Sequence, residues 1–347
     1  MKAPGWRVTW QDWRARRVSP ERFRLVATAA VWALALTIVS GATVRLTGSG
    51  LGCPDWPTCT ASSVVAPLHL HAWVEFGNRL INAFVTIASL GALAAALLRD
   101  PKRRDLTLLA AGLVAGILAE VVLGGLTVLS KLAPGFVMAH FLLAVVILVD
   151  AVVLRHQAGI PDERVPAPKV RLVGGTQLNL ARLQLAATAV AVALGSVVTS
   201  TGPHGGSPTA RRFGFSLHSV AQLHGTSVEV LIGITLISMW GLARSAAPPR
   251  VIRRAQVVLV AMVSQAAVGY TQYFNGDPVG LVAVHVAGAC VLVIATLWFY
   301  LGLTIRTAAE AAVDPARPAG PARVTAGSAT SPTTDPALSP SALSPSS

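Results

Sequence analysis

Apolar residues in this chain run in long, nearly unbroken blocks, and short connections between them gather the charged residues, glycines and prolines. An α-helix needs about 20 apolar residues to cross a bilayer. Eight stretches meet that length, at 25–44, 72–98, 107–130, 135–154, 183–201, 215–241, 255–274 and 279–305. The pattern predicts an all-α membrane protein with eight transmembrane helices.

Composition removes the soluble alternatives. A length of 347 residues would ordinarily suggest two soluble domains. Hydrophobic residues, however, make up 53% and charged residues only 12%, against about 25% charged in soluble domains. The mean hydropathy of +0.61 agrees. Three cysteines are too few for a disulfide-stapled mini-protein. The net charge of +13 then reports topology, because 1–24, 99–106, 155–182, 242–254 and the tail hold 23 of the 28 Lys and Arg, all on alternate connections. The positive-inside rule puts both termini in the cytoplasm of a multi-pass plasma-membrane protein. A patch for nucleic acid has no reason to alternate loop by loop. Residues 1–24 are too long and polar for a signal-peptide n-region, so the first span is expected to be an uncleaved anchor. Residues 306–347, rich in Ala, Pro, Ser and Thr, are expected to form a disordered cytoplasmic tail.

The two halves echo each other. GATVRLTG at 41–48 matches GSVVTSTG at 195–202. Glu120, Gly124 and His140 recur as Gln265, Gly269 and His285, each 145 residues on, with a loop proline, Pro134 or Pro278, between glycine and histidine. Four spans per half make the repeat parallel. The expected organisation is a basic N-terminus (1–24), a first half (25–154), a cytoplasmic linker (155–182) and a second half (183–305). Each half is a four-helix bundle, pseudo-symmetric with the other, and holds any cofactor in its core.

Polar groups at membrane depth are costly and face the interior. They are Glu75, Asn78 and Arg79 in the second span, Glu120 in the third and His140 in the fourth. The second half adds His218, Gln222, His224 and Glu229 in the sixth, Gln265 in the seventh and His285 in the eighth. His140 and His285 lie roughly 9 Å from the outer ends of their helices, with Asn78 and His224 at comparable depth. Facing histidines in a bundle are what a haem iron takes as axial ligands. A lone membrane histidine is as readily a packing residue, but two at matched repeat positions favour ligation. Zinc is disfavoured, since no cysteine or carboxylate sits at ligand spacing beside them. His69, His71, His156 and His204 are expected to be solvated, with His69 and His71 placed to approach a haem propionate.

Glu75, Asn78 and Arg79 share a helix face by their i, i+3, i+4 spacing. They are either a self-neutralising Glu–Arg pair or a carboxylate held near substrate, with Arg79 balancing its charge or meeting a propionate. Gln222 and Gln265 stand for Glu75 and Glu120 in the second half, and amides do not exchange protons near neutral pH. Acid–base chemistry is therefore expected in the first half alone. In the outer loop GSGLGCPDWPTC, Cys53 and Cys59 suit a disulfide on the oxidising side. Two free thiols or a redox pair are the alternatives. Cys290 is expected in the core.

GATVRLTGSGLGCPDWPTC, WVEFGNRL, GGLTVLSKLAPGFVMAH and GYTQYFNGDPVGLVAVH together resemble the haem A synthase family, in its actinobacterial-like branch, over most of residues 25–305. The resemblance implies an eight-span oxidoreductase that turns a ring methyl of haem O into a formyl group, giving haem A for terminal oxidases. It also implies haem b (iron protoporphyrin) as cofactor in the second half, haem O as substrate in the first, and an external electron donor. By position, His140 resembles the substrate-haem ligand, His224 and His285 the pair holding haem b, Glu75 the family's catalytic acid, and Cys53 and Cys59 its outer-loop cysteines. Asn78 and Arg79 would adjoin the substrate haem.

Three departures from the family pattern stand out. Asn78 replaces the histidine of the usual E-x-x-H-R, leaving the first-half iron one protein ligand and an open face. His224 lies in QLHG without the usual trailing Arg, with His218 as the alternative ligand. TGPHGGSP lacks the second cysteine pair of some members. The implied chemistry is successive hydroxylation of the methyl, with Glu75 stabilising developing positive charge or moving a proton. The expected partners are haem O and haem A, membrane lipid, the electron donor, the farnesyltransferase that forms haem O, and a second copy of the chain, with no nucleic acid. A non-catalytic b-type cytochrome and a repeat-built transporter are the rivals. The transporter is disfavoured by the absence of Gly/Pro-broken spans.

Overall fold

A computed structural model of the chain describes residues 17–306. The expectations for most of the basic N-terminus and for the tail fall outside the described residues. Among the described residues eight long helices follow one another: α1 Pro20–Leu46, α2 Leu70–Leu97, α3 Arg104–Leu129, α4 Pro134–Ala158, α5 Gly175–Thr201, α6 Leu217–Ala243, α7 Pro249–Phe274 and α8 Val279–Leu301. All eight are long and apolar enough to cross a membrane.

The helices outrun the apolar stretches mostly at one end of the molecule, at the start of α1, α5 and α7 and the end of α4. Arg and Lys collect there, and they are good helix formers even though they end a hydropathic block. Starts are set by local chemistry. Ser19 caps α1 and Ser216 caps α6 through their hydroxyls, while Pro20, Pro134 and Pro249 occupy the first helical turn, where a missing N–H costs nothing. Pro134 is thus a helix starter rather than a loop residue, and Pro278 is the residue just ahead of α8. After α8 the chain leaves the helix at Gly302, and Thr304–Ile305 (β2) pairs antiparallel with Val170–Arg171 (β1).

Within each half the helices pack as a closed ring, α1 to α2 to α3 to α4 and back, and α5 to α6 to α7 to α8 and back. Helices α2 and α4 therefore stand diagonally across the first bundle, and α6 and α8 across the second. The halves meet through α4 against α8, α1 against α8 and α4 against α5. One apolar core fills the first bundle and takes Cys290 and Leu297 from α8; another, with Leu231, Val258, Met262 and Phe299, fills the second.

The repeat extends to backbone detail. The turn after α3 has Lys131 and Leu132 at φ 53° and 61°, and the turn after α7 has Gly276 and Asp277 at φ 73° and 56°. Leu132 N–H donates to the Thr127 carbonyl at 2.9 Å, and Asp277 N–H to the Gln272 carbonyl, also at 2.9 Å. Both are six-to-one bonds of the Schellman type that close a helix C-terminus. Left-handed backbone at three non-glycine residues is unusual, so its recurrence at one sequence offset is a structural mark of duplication.

Each end of the molecule is tied by polar contacts. At the basic end, Arg99, only 1% exposed, grips both oxygens of Asp162 at 2.9 Å. Arg103 bonds Asp105 and Asp162 together with the carbonyls of Gln157 and Ile160. At the opposite end Gly50 N–H donates to the Gly206 carbonyl at 2.8 Å, Arg45 reaches the Thr199 carbonyl, and His204 Nε2 bonds the Asp277 carbonyl. The first two of these contacts join the halves there, and the third ties two loops of the second half together.

Candidate functional site

In the second bundle His224 of α6 and His285 of α8 come from diagonal helices and face each other, their ring centroids 6.3 Å apart and their planes at 83°. Each ring rests on a glycine of the adjacent helix. A Cβ at Gly195 would lie 3.1 Å from the His224 ring, and one at Gly269 would lie 3.1 Å from the His285 ring. Nδ1 of His285 is shut from solvent with no hydrogen-bond partner. An ion held about 2 Å from a nitrogen of each ring would set the centroids about 6 Å apart, so the observed spacing fits one metal ion between them. Among the described residues no three His, Cys, Asp or Glu side chains gather as a metal cage. Two imidazoles alone are what a porphyrin iron needs, since the macrocycle supplies its other ligands. His218, the alternative, is exposed and bonds Tyr273 Oη at 3.0 Å. It is His224 that meets His285.

The first bundle carries a different set at the same height. His140 of α4 sits against Gly124 of α3, where a Cβ would approach its ring to 3.3 Å. Its Nδ1 is paired with the Glu120 carboxylate. Diagonally across, Asn78 of α2 accepts a hydrogen bond from the Ser40 hydroxyl at 2.7 Å. Gly41, the counterpart of Gly195, has nothing within 4 Å of a built Cβ. At Glu120's repeat position Gln265 is buried and donates to the His285 backbone carbonyl at 2.9 Å.

Glu75 and Arg79 form the i, i+4 ion pair at 2.8 Å, and Glu75 is 5% exposed. Neither partner ends there. Glu75 Oε2 accepts the Cys53 N–H at 2.7 Å, while Arg79 donates to the carbonyls of Cys53, Asp55 and Thr58 at 2.9–3.0 Å. Cys53 and Cys59 are joined as a disulfide, and Trp56, between them, lies over Gly125 of α3, where a Cβ would come within 2.7 Å of the indole. The pair therefore seats the disulfide loop on the mouth of the first bundle. His69 caps α2, and His71 bonds the Ser49 hydroxyl at 2.9 Å.

One sequence correspondence fails. Gln222 precedes His224 by two residues, whereas Glu75 precedes Asn78 by three. The amide is therefore turned about 100° from Glu75's place on the helix. Gln222 is exposed, and Ala221 stands in Glu75's position. One group escaped notice in the sequence. Asp150, a charged residue within the apolar fourth block, lies against Gly112 of α3, and its Oδ2 is shut from solvent without a partner. A count of charges inside each apolar block would have found it.

The family model described as COX15-CtaA, cytochrome oxidase assembly protein, matches residues 23–71 and 66–204. That is just over half of the chain: the whole first bundle and α5. His224 and His285 lie beyond the matched stretch. Among curated proteins the chain is 44% identical over 52 residues to "Heme A synthase" of Geobacillus thermodenitrificans, covering 15% of this chain and 16% of that one. It is 35% identical over 109 residues to that of Geobacillus kaustophilus, covering 30% and 33%. To that of Lysinibacillus sphaericus it is 40% identical over 53 residues, covering 15% and 17%. The chain thus spans about a third or less of the length of the curated relatives it matches, and the likeness reaches the family without singling out an actinobacterial branch.

Proposed function

The chain belongs to the COX15-CtaA family of cytochrome oxidase assembly proteins, and on that premise we propose that it is a haem A synthase, oxidising a ring methyl of haem O to a formyl group. The observation that carries this reading is the unequal content of two equivalent bundles. The second has two imidazoles 6.3 Å apart. The first has one imidazole, His140, and a buried carboxylate, Glu75, one turn from Asn78 on the diagonal helix. In this reading His224 and His285 hold haem b, which when bound supplies one-electron transfer. His140 binds the substrate haem, and the face toward Asn78 is left without a strong protein ligand, since Asn78 is engaged by Ser40.

Each of two hydroxylations of the methyl takes one oxygen atom from dioxygen, while two electrons from the external donor and two protons reduce the other atom to water. The geminal diol so formed loses water to leave the aldehyde. Glu75, held by Cys53 N–H and Arg79, presents a fixed negative charge that stabilises positive charge developing at the reacting carbon. Arg79 serves this reading by fixing Glu75 and the disulfide loop, since three carbonyls and one carboxylate oxygen occupy its guanidinium. We further place both termini in the cytoplasm. The Arg-rich end then faces inward, and the disulfide lies on the oxidising side. An external electron donor, the farnesyltransferase that forms haem O and a second copy of the chain are the partners this function calls for.

Pigment extraction after expression with a haem O supply tests the reading. The parent should yield haem A, and Glu75→Gln, which keeps the shape and one acceptor but loses the charge, should yield haem b and unconverted haem O. Haem A at the parent level in Glu75→Gln removes Glu75 from the chemistry. A non-catalytic b-type cytochrome would use the His224–His285 pair equally well, and it predicts haem b alone from the parent.

A further inference from the structure

Glu120 and Gln265 hold the same repeat position, yet they bond different atoms. The Glu120 carboxylate meets the His140 ring at Nδ1. The Gln265 amide bonds the His285 backbone carbonyl instead, which leaves the His285 Nδ1 buried and without a partner. Glu120 sits one turn before Gly124, so the carboxylate and the glycine that admits the ring lie on one face of α3. The His140 side chain is 42% exposed and that of Glu120 only 11%. Among the described residues, His140 Nδ1 is the one group in contact with this carboxylate, by a close ion-pair approach and not a directed hydrogen bond, whereas no carboxylate or amide approaches the His285 Nδ1 in this way.

A carboxylate taken out of water is costly unless a positive charge is coupled to it. An imidazole bound to a metal ion through its other nitrogen provides that coupling, and such a carboxylate both fixes the ring and raises the basicity of the ligand.

Resting on the reading of His140 as the substrate-haem ligand, we propose that Glu120 is a positioning residue that accepts the Nδ1 proton of His140, fixes the ring with Nε2 as the iron-binding nitrogen, and makes it a stronger donor than His285. Beside the two repeat-matched histidines, His140 and His285, the duplicated sites differ by one change of side chain, Glu120 against Gln265. The braced imidazole stands in the bundle where Asn78 offers no second ring, and the unbraced one stands in the bundle with two. A strongly donating single ligand suits oxidative chemistry on the opposite face, and a pair of neutral imidazoles suits electron transfer.

The test uses the full chain in detergent with the second site removed by His285→Ala, so that titration with haem b reads the first bundle alone. Glu120→Gln should weaken haem binding about 10- to 100-fold, lower the iron–imidazole stretching frequency in the ferrous state and make the reduction potential more positive. Glu120→Asp should move the same three quantities in the same direction by less, and it decides the matter if the Gln variant does not fold. Parent values of stretch and potential in the folded variants would overturn the proposal, because a packing role alone would shift neither. His140→Ala in the same background separates the two layers. If it leaves haem binding unchanged, the ligand reading itself fails and this inference with it; if it abolishes binding while Glu120→Gln matches the parent, only the role of Glu120 fails.

Discussion

At the level of His224 and His285 the second bundle sets two imidazoles opposite each other with their planes nearly perpendicular, each backed by a helix glycine. At the same level the first bundle sets His140, paired with Glu120, across from an asparagine bonded to Ser40. The scaffold around the two places is shared, down to a six-to-one bond and left-handed residues in the turns before α4 and α8. The difference lies in Glu75, Asn78 and Glu120, which have Ala221, His224 and Gln265 as their counterparts, and in the loop above them, which in the first half is stapled by Cys53–Cys59 and anchored by Arg79. A duplicated bundle keeps its backbone because every polar backbone group in a membrane must be satisfied internally. Its few buried polar side chains are the part left free to diverge.

The comparison breaks most directly at the second bundle. His285→Ala should abolish bound haem b there, seen as loss of the low-spin bis-imidazole absorption of the purified protein, while haem bound through His140 persists at reduced total pigment. If pigment and spectrum match the parent, the facing histidines are a packing pair and the assignment of the second bundle is wrong. Converting the first bundle toward the second should have an intermediate effect. Asn78→His supplies the missing ring at the cost of the Ser40 bond, about 1 kcal/mol. It should turn first-half haem from a form open to added ligands such as cyanide into a closed, low-spin one, and so slow formation of haem A by at least tenfold. Unchanged cyanide binding would mean that residue 78 does not face the iron.

The eight spans and the repeat were legible in the sequence because crossing a bilayer imposes long apolar runs, and because residues costly at depth stand out against them. His140, His224 and His285 were legible for that reason. What escaped depends on how separate segments meet. Arg79 lies within the WVEFGNRL motif that resembles a haem site, yet its bonds go to Cys53, Asp55 and Thr58, carbonyls whose positions depend on the folded loop. Gln222 has the composition expected of a partner to Glu75, but a slip of one residue along a helix turns it to another face. The grip of Arg99 on Asp162 joins residues 63 apart, so counting loop charges could register the arginine as a topology signal without finding its partner. Ser40 gave no signal at all, since a serine in a span ordinarily bonds its own helix backbone.

The smallest effect isolates the glycines. In the second bundle a Cβ at position 269 would press on the His285 ring at 3.1 Å, whereas one at Gly41, in the first, would meet nothing within 4 Å. Replacing a mid-helix glycine by alanine stabilises the helix by about 0.5–1 kcal/mol when space allows. Forcing an extra methyl against a packed group costs about 1–3 kcal/mol. Gly41→Ala should therefore raise the thermal midpoint slightly and leave the haem spectrum alone. Gly269→Ala should lose haem b a few-fold more readily on dilution, because the ring gives way before the helix does. Equal behaviour of the two variants would show that the glycine beneath His285 is a remnant of the repeat and not a seat for the ring.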